Sequence, residues 1–188
     1  YGRGYSTNLN SKYTLNYEIA EGLSYQFDLM NQTGFNKGSN FRSRYHTDVG
    51  RQGNGSAASS SSQGTRWDIN NILRYSIEIG NHNLELMGGF ITLQSNSTSY
   101  SSGRRGFPSD TITQIYVENE DYPGLDVSYS ASEGKSEYRK YSYIGRLNYN
   151  YNSTYIAQFN VRSDGSSRFG SESRWGTFPS GSVAWRIS

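Results

Sequence analysis

An apolar residue at every second position, opposed by residues as polar as Asn, Arg and Gln, constrains this chain more than any other feature. In the run from Tyr138 onward, Tyr141, Tyr143, Leu147 and Tyr149 fall on one face, and Ser142, Arg146, Asn148 and Asn150 on the other. After a turn at Tyr151 to Ser153, Tyr155, Ala157, Phe159 and Val161 oppose Thr154, Gln158, Asn160 and Arg162. A period of two identifies strands, and faces of such different polarity identify strands that meet two different solvents. A sandwich hides its apolar face in a core. A membrane barrel turns that face to lipid and lines a wet lumen with the other. Tyr149, Tyr151 and Tyr155, crowded around the turn, fit an aromatic girdle at headgroup level, which favours the barrel.

The same alternation runs from Tyr5 to Ile19, with Tyr13, Leu15 and Tyr17 against Thr14, Asn16 and Glu18. That strand is roughly twice the usual five or six residues, the length a tilted strand needs to cross a bilayer. Ala20 to Gly22 is a turn, and Leu23, Tyr25, Phe27 and Leu29 carry the next apolar face. Asn36 to Gly64, with Arg42, Arg44, His46 and the run GNGSAASSSSQG, reads as a mobile hydrophilic loop. Alternation resumes through Trp67, Ile69, Leu73, Tyr75, Ile77 and Ile79, turns at Gly80 to Asn83, and continues through Leu84, Leu86 and Phe90. A second long connection spans Ser95 to Glu137, a medium one Ser163 to Ser180, and a last strand runs through Val183, Trp185 and Ile187. Short and long connections alternate, which is the meander of an outer-membrane barrel.

The expected fold is therefore all-β: an antiparallel, up-and-down transmembrane β-barrel wall of about seven strands. Residues 1–188 form one partial barrel domain on this reading. Seven strands leave two bare edges and cannot close alone, so the chain is expected to be a piece of a larger barrel. The opening YGRGYSTNLN has no apolar signal-peptide core, which agrees with an internal piece.

Composition excludes several classes. Among 188 residues there are 21 Gly, 17 Tyr and no Cys, with 18% charged and 33% hydrophobic residues. No apolar run is long enough for a transmembrane helix, and alternation halves the hydropathy of any barrel strand. Without cysteine there is no disulfide framework or thiolate metal site. A net charge of +2 gives no electrostatic footprint for nucleic acid.

One segment carries a specific resemblance. Arg162, Asp164, Gly165, Ser166, Ser167, Arg168, Phe169 and Gly170 form an R-x-DGSS-R-FG motif. Arg174, Trp175 and Gly176, then Phe178, Pro179 and Ser180, then Ala184, Trp185, Arg186 and Ile187 follow it in order. This series, preceded by Gly145-Arg146-Leu147-Asn148-Tyr149, resembles TonB-dependent outer-membrane transporters of the SusC/RagA type. The resemblance implies a 22-stranded barrel with an internal plug, a SusD-like surface lipoprotein as partner, and energy from the TonB–ExbB–ExbD complex. It implies import of bulky nutrients, oligosaccharides or peptides, across a bacterial outer membrane, this chain supplying wall, lipid face and external loops. Plug, TonB box and closing strands are expected elsewhere. A passive porin and a secreted β-rich binding module are the alternatives.

Candidate ligand-binding residues are Tyr100, Phe107 and Tyr122, loop aromatics able to stack on sugar rings, and Arg162 and Arg168, able to hydrogen-bond a polar substrate. The motif residues Arg162, Asp164, Gly165, Ser166, Ser167, Arg168, Phe169, Arg174, Trp175, Phe178, Pro179 and Trp185 read more simply as structural. Asp164 can take backbone hydrogen bonds in a turn, and arginines in a barrel wall pair with carboxylates. Glu118, Glu120, Asp121 and Asp126 lack calcium-loop spacing, and His46 and His82 have no metal-ligating neighbours in sequence. No nucleophile–base pair or catalytic carboxylate pair emerges, so neither an enzyme nor a cofactor is expected.

Overall fold

A computed structural model of the chain describes residues 1–45, 54–111, 113–115, 125–170 and 174–187. Seven strands account for almost all of them: β1 Gly2–Ala20, β2 Leu23–Arg42, β3 Ser56–Ile79, β4 His82–Arg105, β5 Ser128–Tyr151, β6 Tyr155–Ser166 and β7 Trp175–Trp185. They form one sheet in which every strand pairs with its neighbours in sequence, and no helix occurs among the described residues. The up-and-down all-β meander is the one that the alternation predicts.

The strands are longer than the alternation marks. β3, β4 and β5 each run 24 residues, against the nine to eleven that cross a bilayer. Both segments expected as long loops are largely strand. Ser56 to Gln63, most of the serine-rich run, belongs to β3, and Ser95 to Arg105 continues β4. The physical reason is that a hairpin ladder, once begun, extends through any residue that offers a backbone donor and acceptor. Where both faces are wet, no apolar alternation is needed to hold it.

The chain divides into two compact units. Unit 2 comprises Asn10–Gln32, Arg66–Ser95 and Glu137–Ser188. Its apolar positions are exposed rather than covered: Leu15, Ile79, Tyr143, Phe159 and Trp185 all lie open, and Val183 is 86% exposed. No second sheet covers them among the described residues, so the core that a soluble sandwich requires is missing. The polar positions are instead tied across strands. Thr14 Oγ1 and Gln26 Nε2 donate to Asp28 at 2.7 and 2.8 Å, and Arg74 Nη1 donates to Gln26 Oε1 at 3.0 Å. Asn148 Nδ2 reaches Glu85 at 2.8 Å, and Arg146 Nε reaches Asn160 Oδ1 at 2.8 Å.

Unit 1 comprises Tyr1–Leu9, Thr33–Thr65 and Asn96–Ser136. It holds a small core of Phe41 from β2, Ala57 from β3 and Phe107 from the segment after β4, with Ile115 packed against them. Phe107 meets Phe41 edge-on at 5.3 Å, and its N–H donates to Asn54 O at 2.8 Å.

Three tight turns close the short hairpins of unit 2. Gly22 (φ 72°) and Gly80 (φ 60°) occupy left-handed backbone, as do Asn152 (φ 52°) and Ser153 (φ 53°), whose turn is closed by Thr154 N–H to Tyr151 O at 2.9 Å. Gly22 is confined as well: its carbonyl accepts the Ser76 N–H at 2.8 Å, and a Cβ would collide with the Ser76 carbonyl. Around Gly80 there is open space. Gly80→Ala should therefore cost about 1 kcal/mol of left-handed strain, and Gly22→Ala clearly more. Chemical unfolding of the two variants in the full-length detergent-solubilised protein checks this; equal losses would contradict the confinement of Gly22.

Candidate functional site

The polar face of the β5–β6–β7 hairpins and the loop ends above them carry most of the residues singled out by sequence. Pairing outward from the Tyr151↔Tyr155 closure sets Ser142 opposite Asp164 and Ile144 opposite Arg162. Residues two apart on a strand share a face, so Arg162 and Asp164 lie side by side. Arg162 Nε lies 2.9 Å from both Asp164 carboxylate oxygens, and Nη2 donates to Ser142 Oγ at 3.3 Å. Lys140 Nζ adds a longer contact to Asp164 at 3.7 Å. Ser142 is fully buried under this cluster. Lys140 and Ser142 are partners that sequence reading missed; counting outward from the turn would have found Ser142.

The rest of the motif shapes the strand end. Ser166, buried, donates its N–H to Arg174 O at 3.1 Å and accepts from Phe169 N–H at 3.2 Å. Ser167 is bonded twice to Arg139: its N–H donates to the Arg139 carbonyl at 2.9 Å, and its Oγ accepts the Arg139 N–H at 3.0 Å. Arg168 donates its backbone N–H to Ser166 Oγ at 3.2 Å and lays its guanidinium over Tyr138, 4.5 Å from the ring centre. At Gly165 the need is for close approach, since a Cβ would come within 2.9 Å of the Trp175 indole. Phe178 packs in the same way over Gly176. Pro179 pairs with Val161 in the last strand, and Trp185 stacks on Tyr155 at 6.3 Å. Phe169 is half-exposed.

The expected ligand-facing aromatics separate. Tyr100 is a β4 residue rather than a loop residue, 52% exposed, and lines an open concavity of about 380 Å³ with Phe35, Gln63 and Asn96. Those three lining residues were not singled out by sequence, because a concavity between non-adjacent segments leaves no local signature. Phe107 is fully buried in the unit 1 core against Phe41 and Arg104. It has no free face to offer a sugar, which corrects the expectation placed on it. Tyr122, His46, Glu118, Glu120 and Asp121 lie outside the described residues. Among the described residues, no group of His, Cys, Asp or Glu side chains has the geometry of a metal site. His82 stands among rings, with Nδ1 2.7 Å from Tyr149 Oη.

Aromatic contacts in unit 2 form two rows. One, beside the short turns, joins His82, Tyr149, Tyr151, Tyr155 and Trp185. The other joins Phe90 to Tyr141 and Tyr143, and Tyr143 to Trp175. Phe90 follows His82, and Tyr151 follows Tyr143, by eight positions. At ~3.3 Å per residue the rows stand about 26 Å apart along the strands. A tilt of 35–45° brings that to about 20 Å, within the ~25 Å height of an outer-membrane apolar band.

Comparison with known proteins agrees with this geometry. TonB-dependent receptor P3 of Formosa agariphila is 34% identical over 118 residues, 63% of this chain and 11% of that receptor. TonB-dependent receptor P26 of the same organism is 30% identical over 141 residues, 74% of this chain and 14% of that protein. TonB-dependent receptor SusC of Bacteroides thetaiotaomicron is 54% identical over 46 residues, 24% of this chain and 5% of SusC. In fold, the chain is similar to the RagAB peptide transporter with a TM-score of 0.76 at 21% identity, over 97% of this chain and 19% of that one. The chain thus spans only 11% and 14% of the length of the first two receptors. No family model matches it.

If Asp164 is what holds two cations beside buried Ser142, Asp164→Ala should destabilise the full-length protein by about 1–2 kcal/mol, a range kept low because Arg162 is half-exposed. Arg162→Lys should lose less, since it keeps the charge but not the two-oxygen grip. Urea unfolding in detergent measures both; an Asp164→Ala variant as stable as the parent would remove the clamp.

Proposed function

We propose, for a chain that is a segment of the SusC/RagA-type TonB-dependent outer-membrane transporters, that the whole protein imports bulky nutrients, oligosaccharides or peptides, across a bacterial outer membrane. The observation that carries this reading is the two-faced sheet of unit 2. An uncovered apolar face framed by two aromatic rows suits lipid, and a hydrogen-bonded polar face suits a wet lumen. In this reading residues 1–188 belong to one barrel domain, a 22-stranded one, completed by strands and a plug from the rest of the protein. A SusD-like surface lipoprotein is the partner at the outer mouth, and the TonB–ExbB–ExbD complex supplies energy from the inner side.

The motif from Arg162 to Trp185 is assigned a structural role. Arg162 and Asp164 satisfy each other, Arg168 lies over Tyr138, and Ser166 and Ser167 hold the β5–β6 ladder to the start of β7. Tyr100, exposed beside amide side chains, and Tyr122 are assigned to ligand contact through ring stacking. Both oligosaccharides and peptides present apolar faces that an exposed ring can cover.

Uptake by cells carrying the full-length gene tests the proposal. Growth on, or uptake of, an oligosaccharide or peptide source should be lost on deletion of the gene and should stop when the proton gradient is collapsed. Uptake that persists without the gradient would indicate a passive pore instead. Tyr100→Ala should weaken ligand binding to the purified protein about tenfold, the loss expected for one stacked ring. Unchanged binding would remove Tyr100 from the site.

A further inference from the structure

We infer that the concavity beside Tyr100 in unit 1 is a saccharide site, taking a pyranose ring or a short chain of them. The inference rests on the assignment of Tyr100 to ligand contact made above, and names the chemistry of that ligand. The concavity holds about 380 Å³, within the roughly 300–1,000 Å³ of small-molecule sites. Asn36 Nδ2 donates to Ser62 Oγ at 3.3 Å, so these two share one face, and Phe35, Ser61, Gln63 and Thr65 share the other. A Cβ on Gly64 would lie 3.8 Å from Ser97 Cβ, which puts Asn96 and Tyr100 on that other face too. The result is a trough with β3 as its floor. Phe35 stands on β2 at one side and Tyr100 on β4 at the other, strands about 10 Å apart.

Both rings are open. Phe35 is 48% exposed and Tyr100 52%, and neither meets another ring among the described residues. Gln63 and Asn96 are exposed amides with no side-chain partner among the described residues. Elsewhere the amides of Asn36 and Asn148 are tied to neighbouring strands. No charged side chain lines the concavity among the described residues, so a bare ion finds no counter-charge there. A saccharide matches this lining. The C–H face of a pyranose covers an aromatic ring, and its hydroxyls donate and accept, as do the groups of Gln63, Asn96, Ser61 and Thr65. A peptide matches it less well, because its main chain is recognised by pairing with a free strand edge. β2, β3 and β4 each have a strand on both sides, so their backbone donors and acceptors are already used. The trough offers side chains alone.

The test is calorimetry on the full-length protein in a detergent without a sugar head group. Maltohexaose, cellohexaose, xylohexaose and hexa-alanine are the probes, and at least one of the sugars should bind saturably. Phe35→Ala should weaken that sugar about tenfold, and Gln63→Ala about fivefold, while the response to hexa-alanine stays as in the parent. Gln63→Ala removes only an exposed amide, so it decides the matter where loss of the ring shifts the unfolding midpoint. Tyr45→Ala, an exposed ring outside the concavity, should change nothing. Sugar analysis of the purified protein separates two sources of the saccharide. A saccharide-bearing lipid kept by the parent and lost from Phe35→Ala identifies a membrane glycolipid; saturable binding of a free hexasaccharide identifies a soluble one. The site is overturned if the parent shows neither, if both variants match the parent, or if Tyr45→Ala loses as much. Uptake that depends on the gene without such a site leaves transport standing alone, and the site without uptake leaves the saccharide trough standing alone.

Discussion

Backbone hydrogen bonding between sequence neighbours is the interaction on which the rest of this structure depends. In hydrocarbon a strand has no water to satisfy its N–H and C=O groups, so each must find the adjacent strand. In this sheet the adjacent strand is always the sequence neighbour, reached through hairpins closed by left-handed residues such as Gly22, Asn152 and Ser153. Side chains are then free to answer to their solvent. On one face of unit 2 they are Leu, Ile, Tyr and Trp standing open. On the other they are Asp, Asn, Gln and Arg satisfying one another across the ladder.

The polar face shows how charge is tolerated in such a wall. Asp28 is buried, and it is held by Thr14 from the strand before and by Gln26 two positions away. Asp164 sits between Arg162 and Lys140, with Ser142 beneath. In both cases the carboxylate is satisfied by groups on its own strand and on the preceding one. A satisfied carboxylate of this kind adds cross-strand register to a ladder whose backbone bonds alone are indifferent to sequence.

The features legible in the sequence were those that lipid enforces. The faces of β5 and β6, the three short turns and the count of seven strands follow from alternation, because one wrong residue on the apolar face would meet hydrocarbon. Ser56 to Gln63 was illegible for the opposite reason: apart from Ala57 in the small core it carries no apolar side chain that needs covering, so it shows no pattern and its serines read as linker. Phe107 misled because an aromatic beside proline in a long connection looks like a surface ring, whereas it closes a core with Phe41 and Ala57 that are distant in sequence. Of the motif, Asp164 was expected in a turn taking backbone hydrogen bonds; it lies in β6 instead, on the same face as Arg162, which binds it. The close approach of Trp175 to Gly165 depends on the β6–β7 register, which a medium-length connection leaves open.

These two regimes also separate where chemistry is free to vary. Within unit 2 the apolar positions stand open on one face and the polar ones are tied across strands. In unit 1 the ladder persists, with one small core and polar pairs such as Ser43 with Asp110 and Ser101 with Ser132. A buried arginine there with one nitrogen unpartnered is not forced by the wall. Nothing in strand pairing requires it, and its desolvation works against folding. What that arginine does in the fold is cover the core: its guanidinium lies over the buried Phe107 ring, and its Nε is tied to Gly106 O.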